Sequence, residues 1–325
     1  MASILYIGGT GTISTACVRH SLERGDDVAI LHRGTTGRAV PDGVREYFAD
    51  VRDAGAVREA LGYAEFDAVA DFLSFVPDDL APHLELLGAR TGQYLFVSSA
   101  SAYQKPPAHV PVTERTPLDN PFWQYSRDKI ASEEFLAASG VPFTIVRPSH
   151  TYDERMIPTL GKWTDISRLR DGRPVIVHGD GTSLWTITHA DDVAVAITGL
   201  LANPRALGED FTVTGDHAPT WNQIYGWIAD AAGVDEPDLV HVASETIAAF
   251  VPHFGPTLLG DKAHSMLFDN AKVTALVPEF TTTVTFDEGA RRIVEHYDAH
   301  PDAQRTDADL DALFDRIAAH ARTAG

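Results

Sequence analysis

Cysteine, lysine and long apolar runs are scarce or missing in this sequence of 325 residues. Its single cysteine, Cys17, allows no disulfide within the chain, which is compatible with a reducing compartment. Lysine occurs five times against 21 arginines, so few lysine-containing motifs are expected by chance. No apolar run approaches the length of a membrane-spanning helix, and no charged leader with an apolar core is present. These absences predict a soluble cytoplasmic protein.

Basic residues are too few to balance the acidic ones. The 46 acidic and 26 basic side chains give a formal charge of −20 at pH 7. Because nucleic acids and anionic membranes are polyanions, this charge argues against both as partners. The sequence also lacks the G-x-S-x-G elbow of serine hydrolases and the H-E-x-x-H motif of zinc proteases. Its 14 histidines do not cluster, so no metal site is predicted.

What the sequence does contain begins with a strand, a glycine turn and a helix between Ser3 and Ser14. Four apolar residues at positions 4–7 predict a buried parallel strand, and Gly8, Gly9 and Gly11 follow them. This order is typical of a dinucleotide-binding turn, in which N–H groups at the helix start bind a pyrophosphate. A tight turn without a ligand is the structural alternative. No lysine follows the glycines, which excludes a nucleoside-triphosphate P-loop.

Strand and helix patterns alternate through the first half of the chain. Strands are predicted from about residues 28, 44, 66, 93 and 141, and helices over 54–61, 77–87 and 122–138. This alternation predicts an α/β fold with a Rossmann doubly wound parallel sheet and a smaller C-terminal substrate-binding domain. We assign residues 1–150, joined by about 190–215, to a dinucleotide-binding domain. The substrate-binding part then comprises residues 151–189 and 216–325, with a charged helix from Pro301.

The ends of the second and third strands bear on the choice of dinucleotide. An acidic residue after the second strand would bind the ribose 2′-OH of NAD, but Arg33 stands there instead. Arginine pairs well with a 2′-phosphate, so NADP is the preferred cofactor and NAD remains possible. A solvated surface arginine is the alternative. Asp50, before Val51, either accepts a hydrogen bond from adenine or caps the helix over 54–61.

A tyrosine and a lysine provide the strongest signal for chemistry. Tyr125 and Lys129 share a face of a predicted helix, and a preceding strand ends in Ser98 and Ser99. A nearby ammonium favours the phenolate, so Tyr125 can exchange the proton of a substrate hydroxyl while a hydride moves. Chance alone gives about 0.14 such Tyr-x-x-x-Lys pairs in a chain of this composition. A surface pair is the structural alternative.

Together these segments resemble the extended short-chain dehydrogenase/reductase superfamily, in its branch of NAD(P)-dependent sugar epimerases and dehydratases. The resemblance rests on GGTGTIS, LFVSSASAY, the Tyr125–Lys129 pair, VRPSHTYD and HGDGTSLWTITHADDVA, and it covers nearly the whole chain. It implies that Ser99, Tyr125 and Lys129 are catalytic, with Tyr125 as acid/base and Lys129 on the nicotinamide ribose. The cofactor contacts that it implies are Gly8, Thr10, Gly11, Thr12, Ile13, Arg33, Asp50, Val51, Ser98, Tyr125, Lys129, Pro148 and Ser149.

Departures from the family pattern bear on the substrate. Ala100 and Ser101 stand where the dehydratases have an Asp-Glu pair, so dehydration by that route is not expected. Trp185 replaces an arginine that holds the diphosphate in many nucleotide-sugar enzymes, which puts a nucleotide handle in doubt. His150, where many members have Asn or Gly, is either a substrate contact or structural. The predicted substrate contacts are Ser99, Ser101, His150 and Trp185.

The sequence therefore predicts an NAD(P)-dependent epimerase or oxidoreductase that acts on a sugar-like, polyhydroxylated small molecule. A non-catalytic NADP-binding regulator or an RNA-binding member of the same fold is the alternative. Family members often form homodimers through two helices, which here lie at about 77–87 and 122–138. The leucine stripe Leu80, Leu84 and Leu87 would serve either that contact or packing within the chain.

Overall fold

Short strands, most of them in one parallel sheet, form the framework of the protein. The computed structural model that shows them describes residues 1–35 and 37–324. In chain order the strands are β1 Ser3–Ile7, β2 Asp27–His32, β3 Arg45–Phe48, β4 Ala68–Asp71, β5 Tyr94–Val97, β6 Phe143–Pro148, β7 His150–Tyr152, β8 Val175–His178, β9 Ile187–His189, β10 Glu209–Val213 and β11 Leu239–Val242.

The helices between these strands range from a single turn to several turns. In chain order they are α1 Thr12–Glu23, α2 Ala54–Leu61, α3 Pro77–Leu87, α4 Gln124–Ala138, α5 Trp163–Arg170, α6 Ala190–Leu200, α7 Trp221–Ala231, α8 Ser244–Phe250, α9 Gly255–Thr257, α10 Ala271–Leu276, α11 Phe286–Ala299 and α12 Ala308–Ala324. A π-helical turn, Leu258–Lys262, follows α9 directly. None of the helices in the described ranges combines the length and apolarity that a membrane crossing requires.

The main sheet has the strand order β10-β6-β5-β4-β1-β2-β3, and all neighbours are parallel. The chain winds outward from β1 in both directions, so β1 and β4 flank the point where the order reverses. In open α/β sheets, ligands bind at the carboxyl ends of the strands beside this point. The topology confirms the predicted doubly wound α/β fold and places the glycine turn, which follows β1, at its centre.

Both faces of the sheet are covered, because successive residues of a strand point to opposite sides. Ile4 and Tyr6 of β1 belong to a core that includes residues of α1 and α6. Leu5 and Ile7 belong to the opposite core, with residues of α2, α3 and α4. In that second core lie Leu80, Leu84 and Leu87 of α3. The leucine stripe is therefore used for packing within the chain.

Two details of the predicted elements differ from the structure. Asp53, not Asp50, caps α2, since its Oδ1 accepts the N–H groups of Gly55 and Ala56 at 3.0 Å each. The capping role considered for Asp50 is therefore wrong. The last helix begins at Ala308 rather than near residue 301, because Pro301–Ala303 forms a separate 3₁₀ turn.

The C-terminal part builds its own apolar cores beside the sheet. One core joins residues of α5, α7 and α11 around Trp221 and Trp185. Another joins α8 and α12 to β8 and β11, and it includes Leu258 of the π-helical turn. Two short parallel pairs, β7–β9 and β8–β11, connect these elements. This arrangement brings residues after position 255 to the carboxyl edge of the main sheet.

Candidate active site

Two adjoining cavities open at the carboxyl edge of the main sheet. The first, of about 500 Å³, is lined by residues of the glycine turn, the end of β5, the start of α4 and the π-helical turn. The second, of about 730 Å³, is lined by the ends of β2 and β3 and by the start of α3. Gly8, Gly11, Leu73 and Phe75 line both. The cavities therefore meet at the glycine turn and together form one elongated cleft.

The glycine turn has the close packing that a dinucleotide-binding loop needs. Gly8 has φ +109°, and a Cβ there would lie 2.8 Å from Cγ of Leu73. A Cβ on Gly9 would lie 2.5 Å from Cγ2 of Ile30. Gly11 is the N-cap of α1, and its own N–H is bound by Ser14 Oγ at 2.9 Å. The first turn of the helix lines the cleft. The unpaired N–H groups of a helix start suit the pyrophosphate of a dinucleotide.

The other predicted contacts of this turn divide between the two cavities. Thr12 and Ile13, at the start of α1, line the first cavity. Thr10 lines the second and is buried, with its hydroxyl donating to the Gly8 carbonyl at 3.2 Å. The two cavities therefore offer space on both sides of the pyrophosphate position, one for each nucleotide half.

Two arginines flank the second cavity. Arg52 holds the Asp50 carboxylate through two bonds, Nε to Oδ1 at 3.1 Å and Nη2 to Oδ2 at 2.8 Å, which keep the pKa of Asp50 well below its ordinary value. Arg33 Nη1 lies 3.8 Å from the same carboxylate. Val51 lines the cavity beside them. Sequence reasoning did not single out Arg52, although its position two residues after Asp50 was a usable signal.

Arg38, which like Arg33 follows β2, has a different partner. Arg38 Nη2 binds Asp153 Oδ2 at 2.5 Å, and Arg38 does not line either cavity. Its ion pair removes it from the adenine end of the cleft. Arg33 and Arg52 line the second cavity together with the carboxylates of Asp50, Asp78 and Asp79.

A relay of hydroxyl groups leads to Tyr125 in the first cavity. Ser126 Oγ donates to Ser101 Oγ at 2.8 Å, and the hydroxyls of Ser101 and Ser99 lie 2.9 Å apart. Burial raises the pKa of Tyr125, the nearby Ser99 hydroxyl lowers it in part, and the charge of Asp261 raises it further. Tyr125 is accordingly a phenol at neutral pH, suited to donating a proton or to losing one beside a positive charge.

Lys129 is held firmly beneath this relay. Its ammonium donates to the carbonyls of Ser74 and Val97 at 2.8 and 2.9 Å, and it lies 4.6 and 4.7 Å from the ring centroids of Phe96 and Phe75. Burial lowers the pKa of Lys129 to about 8. An ammonium has three N–H donors, so one remains for a ribose hydroxyl in the cavity.

A buried acid–imidazole pair supports the loop that holds Lys129. Asp71, at the end of β4, accepts from Ser74 Oγ at 2.6 Å, Tyr94 OH at 2.5 Å and His83 Nδ1 at 3.3 Å. His83 Nε2 lies 2.9 Å from the Val51 carbonyl. Burial lowers the pKa of His83, but Asp71 and the Val51 carbonyl, which only accept hydrogen bonds, outweigh it and raise that pKa above its ordinary value, which favours the imidazolium.

The remaining predicted cofactor contacts also lie in the first cavity. Pro148 and Ser149 line it, and Ser149 Oγ is 3.2 Å from Thr188 Oγ1. Ser98 also lines it, but its hydroxyl donates to Glu133, which is paired with Arg147. The side chain of Ser98 is therefore engaged away from the cofactor.

Aromatic and charged side chains form the far end of the first cavity. The His150 and Trp185 rings pack in a tilted arrangement, with centroids 4.3 Å apart and an interplanar angle of 34°. Trp185 packs on Trp221 at the same distance, with an angle of 32°. Asp261 and Lys262 complete this end. Sequence reasoning missed both, because no motif surrounds them. Among the described residues no cluster of three His, Cys, Asp or Glu side chains is arranged to hold a metal ion.

Comparisons with known proteins agree with this geometry. The sequence profile of the NAD dependent epimerase/dehydratase family matches residues 4–214. Among solved structures, epimerase Mth375 from Methanothermobacter thermautotrophicus superposes with a TM-score of 0.76 over 93% of this chain and 94% of that chain. The two sequences are 14% identical, so this likeness concerns the fold.

Two relatives of similar identity carry different names. The chloroplast stem-loop binding protein of 41 kDa b from Arabidopsis thaliana is 28% identical over 251 residues, 73% of this chain and 65% of that protein. The 2′-dehydrokanamycin reductase of Streptomyces kanamyceticus is 28% identical over 239 residues, 71% of this chain and 66% of that protein. The chain thus spans just under two thirds of each relative.

The family match covers well over half of the chain and contains the glycine turn and the Tyr125–Lys129 pair. It also confirms the resemblance that the sequence motifs indicated. This protein therefore belongs to the NAD dependent epimerase/dehydratase family, a family of extended short-chain dehydrogenase/reductase enzymes.

Proposed function

We propose that this protein is an NADP-linked epimerase or oxidoreductase that acts on a carbinol carbon of a sugar-like, polyhydroxylated substrate. The observation that carries the proposal is that Ser99, Tyr125 and Lys129 line one cavity with the glycine turn. A dinucleotide bound at the glycine turn would therefore share this cavity with the three side chains. This is the arrangement that hydride transfer with acid–base catalysis requires.

Each side chain has a distinct task in this mechanism. Ser99 binds the substrate oxygen, Tyr125 takes the proton from it, and Lys129 donates to a ribose hydroxyl. The nicotinamide, when bound, supplies the hydride acceptor and a positive charge. Burial raises the pKa of Tyr125, which opposes the phenolate that accepts the substrate proton. A positive charge beside the phenol would offset this effect. In an epimerase the hydride returns to the other face of the same carbon, whereas in an oxidoreductase the keto product leaves.

The Tyr125→Phe variant tests the proposal. The substitution removes only the hydroxyl, so we expect turnover to fall by at least about a thousandfold, within the range of acid–base catalysis. NADPH affinity, measured by nicotinamide fluorescence, is expected to stay within about twofold of the wild type. Tyr63→Phe, which removes the hydroxyl of an exposed tyrosine outside both cavities, serves as the control. Full turnover by Tyr125→Phe on a substrate that the wild type accepts would exclude this mechanism.

RNA binding is a second candidate, because one relative is a stem-loop binding protein. RNA affinity rests on basic side chains, and it falls steeply as salt increases. The charge of −20 opposes such binding. Filter binding of a stem-loop RNA at low salt distinguishes the candidates: we expect no retention, and salt-sensitive retention at submicromolar protein would favour the RNA-binding function.

A further inference from the structure

Lysine is rare in this chain, yet three of its five lysines are buried. Lys105, Lys129 and Lys262 are 3%, 2% and 9% exposed. An ammonium is costly to remove from water, and lysine is among the residues least often buried. Lys129 has a place in the proposed mechanism. Lys262 has none so far, although it lines the same cavity as Tyr125.

The backbone of Lys262 is fixed from three directions. Its carbonyl accepts from His178 Nε2 at 3.1 Å, Ser183 Oγ at 3.1 Å and Trp221 Nε1 at 3.2 Å. Lys262 is also the last residue of the π-helical turn, a conformation that recurs at functional sites. So many bonds to one carbonyl hold this residue in a defined position.

A second set of bonds ties the π-helical turn to the catalytic serines. The side-chain amide of Asn120 donates to the carbonyls of Gly260 and Ser101 at 2.7 and 2.8 Å. Ser101 in turn bonds to Ser99 and Ser126. The turn that carries Asp261 and Lys262 is therefore positioned relative to the reaction centre.

The ammonium of Lys262 has donors to spare. It bonds to Thr257 Oγ1 at 3.0 Å and lies 4.5 Å from the centroid of the Trp185 ring. Within residues 1–35 and 37–324, no carboxylate lies within ion-pairing distance of it. Three N–H donors and one bonded acceptor leave two donors for oxygen atoms of a ligand.

Asp261 supplies the opposite chemistry beside it. Its half-buried carboxylate lines the cavity and accepts no hydrogen bond from the part of the chain that the structure describes. Tyr125 lines the same cavity, where burial raises the pKa of its phenol and the charge of Asp261 raises it further. One acceptor and one donor of opposite charge thus stand next to each other without neutralising each other in an ion pair.

This pair matches neighbouring hydroxyl groups, one donating to the carboxylate and one accepting from the ammonium. It matches a diphosphate poorly, because a diphosphate would face Asp261 and would find Lys262 as its main cation. The lining of the first cavity includes no arginine among the described residues.

Resting on the proposed function, we infer that Asp261 and Lys262 bind two hydroxyls of a neutral sugar or cyclitol while Tyr125 acts on a third. The substrate then carries no nucleotide diphosphate. Asp261 and Lys262 determine substrate specificity in this inference, and Trp185 supplies the apolar floor beneath the ammonium.

Binding of four neutral probes tests the inference, each in the presence of saturating NADPH. The probes are the methyl α-glycosides of D-glucose, D-galactose and D-mannose, and myo-inositol, and UDP-glucose is compared with them by calorimetry. We expect at least one neutral probe to bind saturably. We expect UDP-glucose to bind no more tightly than methyl α-D-glucopyranoside. Binding of none of the four, or a tenfold preference for UDP-glucose, would overturn the inference.

Two substitutions assign the binding to this pair. Lys262→Met keeps the length of the side chain without its charge, and Asp261→Asn keeps its shape. Each is expected to weaken the neutral probe at least tenfold. Lys162→Met, at an exposed lysine outside both cavities, is the matched control and should bind as the wild type does. Wild-type affinity in both Lys262→Met and Asp261→Asn would contradict the assignment.

NADPH fluorescence in the same samples distinguishes failure of the proposed function from failure of the inference about Asp261 and Lys262. If the wild type does not bind NADPH, the proposed function itself is wrong. Retained NADPH binding without any sugar binding would overturn the inference alone. Should Lys262→Met unfold, Asp261→Asn still decides, because it is nearly isosteric at a half-buried position.

Discussion

At the scale of single residues, Arg33 is the side chain that we propose to distinguish NADP from NAD. Arg52 already engages both oxygens of Asp50, whereas Arg33 stands 3.8 Å away with 58% of its side chain exposed. Most of the guanidinium donors of Arg33 therefore remain available to a 2′-phosphate, which arginine binds through charge-assisted hydrogen bonds. A 2′-hydroxyl would gain much less from the same group.

Replacing Arg33 by serine should accordingly separate the two dinucleotides. Hydrogen bonds to a charged group contribute about 1.5–3 kcal/mol, so we expect NADPH to bind about ten- to a hundredfold more weakly. The affinity for NADH should change by less than about threefold, because NADH lacks the 2′-phosphate. Fluorescence titration measures both. Arg45→Ser is the control, because Arg45 pairs with Asp27 away from both cavities. An equal loss for NADPH and NADH would show that Arg33 does not read the phosphate.

The same scale shows which site residues a sequence can reveal. Tyr125 and Lys129 are four positions apart in a helix, so their spacing alone predicts that they share a face. Lys262 is held at the cavity by hydrogen bonds to its carbonyl. The donors are His178, Ser183 and Trp221, which are distant from it in the sequence. Such a position has no local signature. It becomes visible only when the tertiary structure brings its partners together.

At the scale of elements, β4 and α3 connect the two ends of the cleft. Asp71 at the end of β4 fixes Ser74, whose carbonyl holds Lys129. His83 of α3 bonds to Asp71 on one side and to Val51 at the adenine end on the other. The Asp71–His83 pair therefore links the position of Lys129 to the loop that lines the second cavity.

The charge on His83 predicts how stability depends on pH. Burial alone would lower the pKa of His83, but Asp71, the Val51 carbonyl and Asp79 raise it above its ordinary value. Burial alone would raise the pKa of Asp71, but bonds from His83, Ser74 and Tyr94 lower it well below its ordinary value. The folded state thus gains stability from His83 at pH values below the ordinary histidine pKa of about 6.5, and loses this gain as pH rises through the raised pKa.

The His83→Gln variant should therefore be most destabilised in mildly acidic solution. Removing one partner of a buried ion pair costs about 3 kcal/mol, which we expect at pH 6. As pH rises through the raised pKa of His83 the wild type loses the imidazolium, so the difference in the free energy of unfolding should be smaller at pH 9.5 than at pH 6. Urea denaturation at both pH values measures it. His241→Gln, at a histidine that bonds to Asn222 outside both cavities, should show no such pH dependence. A difference that is independent of pH would mean that His83 is neutral.

The bounds of a helix can be predicted from the sequence where its apolar residues recur periodically. The helices over 54–61 and 77–87 have the predicted bounds, and the predicted helix over 122–138 begins two residues later, at Gln124. Their apolar spacing determines which face is buried. The π-helical turn Leu258–Lys262 has no such pattern, since its conformation depends on tertiary contacts, among them that of the Asn120 amide with Gly260.

At the scale of the whole molecule, the cleft lies where the Rossmann sheet meets elements of the C-terminal half. Alternating strands and helices predict the sheet, because each unit is local in the sequence. The C-terminal half uses pairings such as β8 with β11, which join residues 175–178 to residues 239–242. Single-sequence patterns do not encode such pairs. The division into domains at residues 150, 190 and 215 stays a prediction.

The whole cleft also bears on whether the cofactor leaves after each turnover. An epimerase regenerates its cofactor and has no need to release it, whereas an oxidoreductase exchanges it each time. Arg33 and Arg52, at the adenine end, are 58% and 69% exposed, so solvent reaches the groups proposed to hold the 2′-phosphate. We therefore expect bound NADPH to exchange within seconds when chased with excess NADP⁺ and followed by fluorescence. Desalted protein should then release less than about a tenth of an equivalent of dinucleotide on denaturation. Near-stoichiometric dinucleotide that survives desalting would contradict this expectation and would favour an epimerase, while the predicted exchange favours an oxidoreductase.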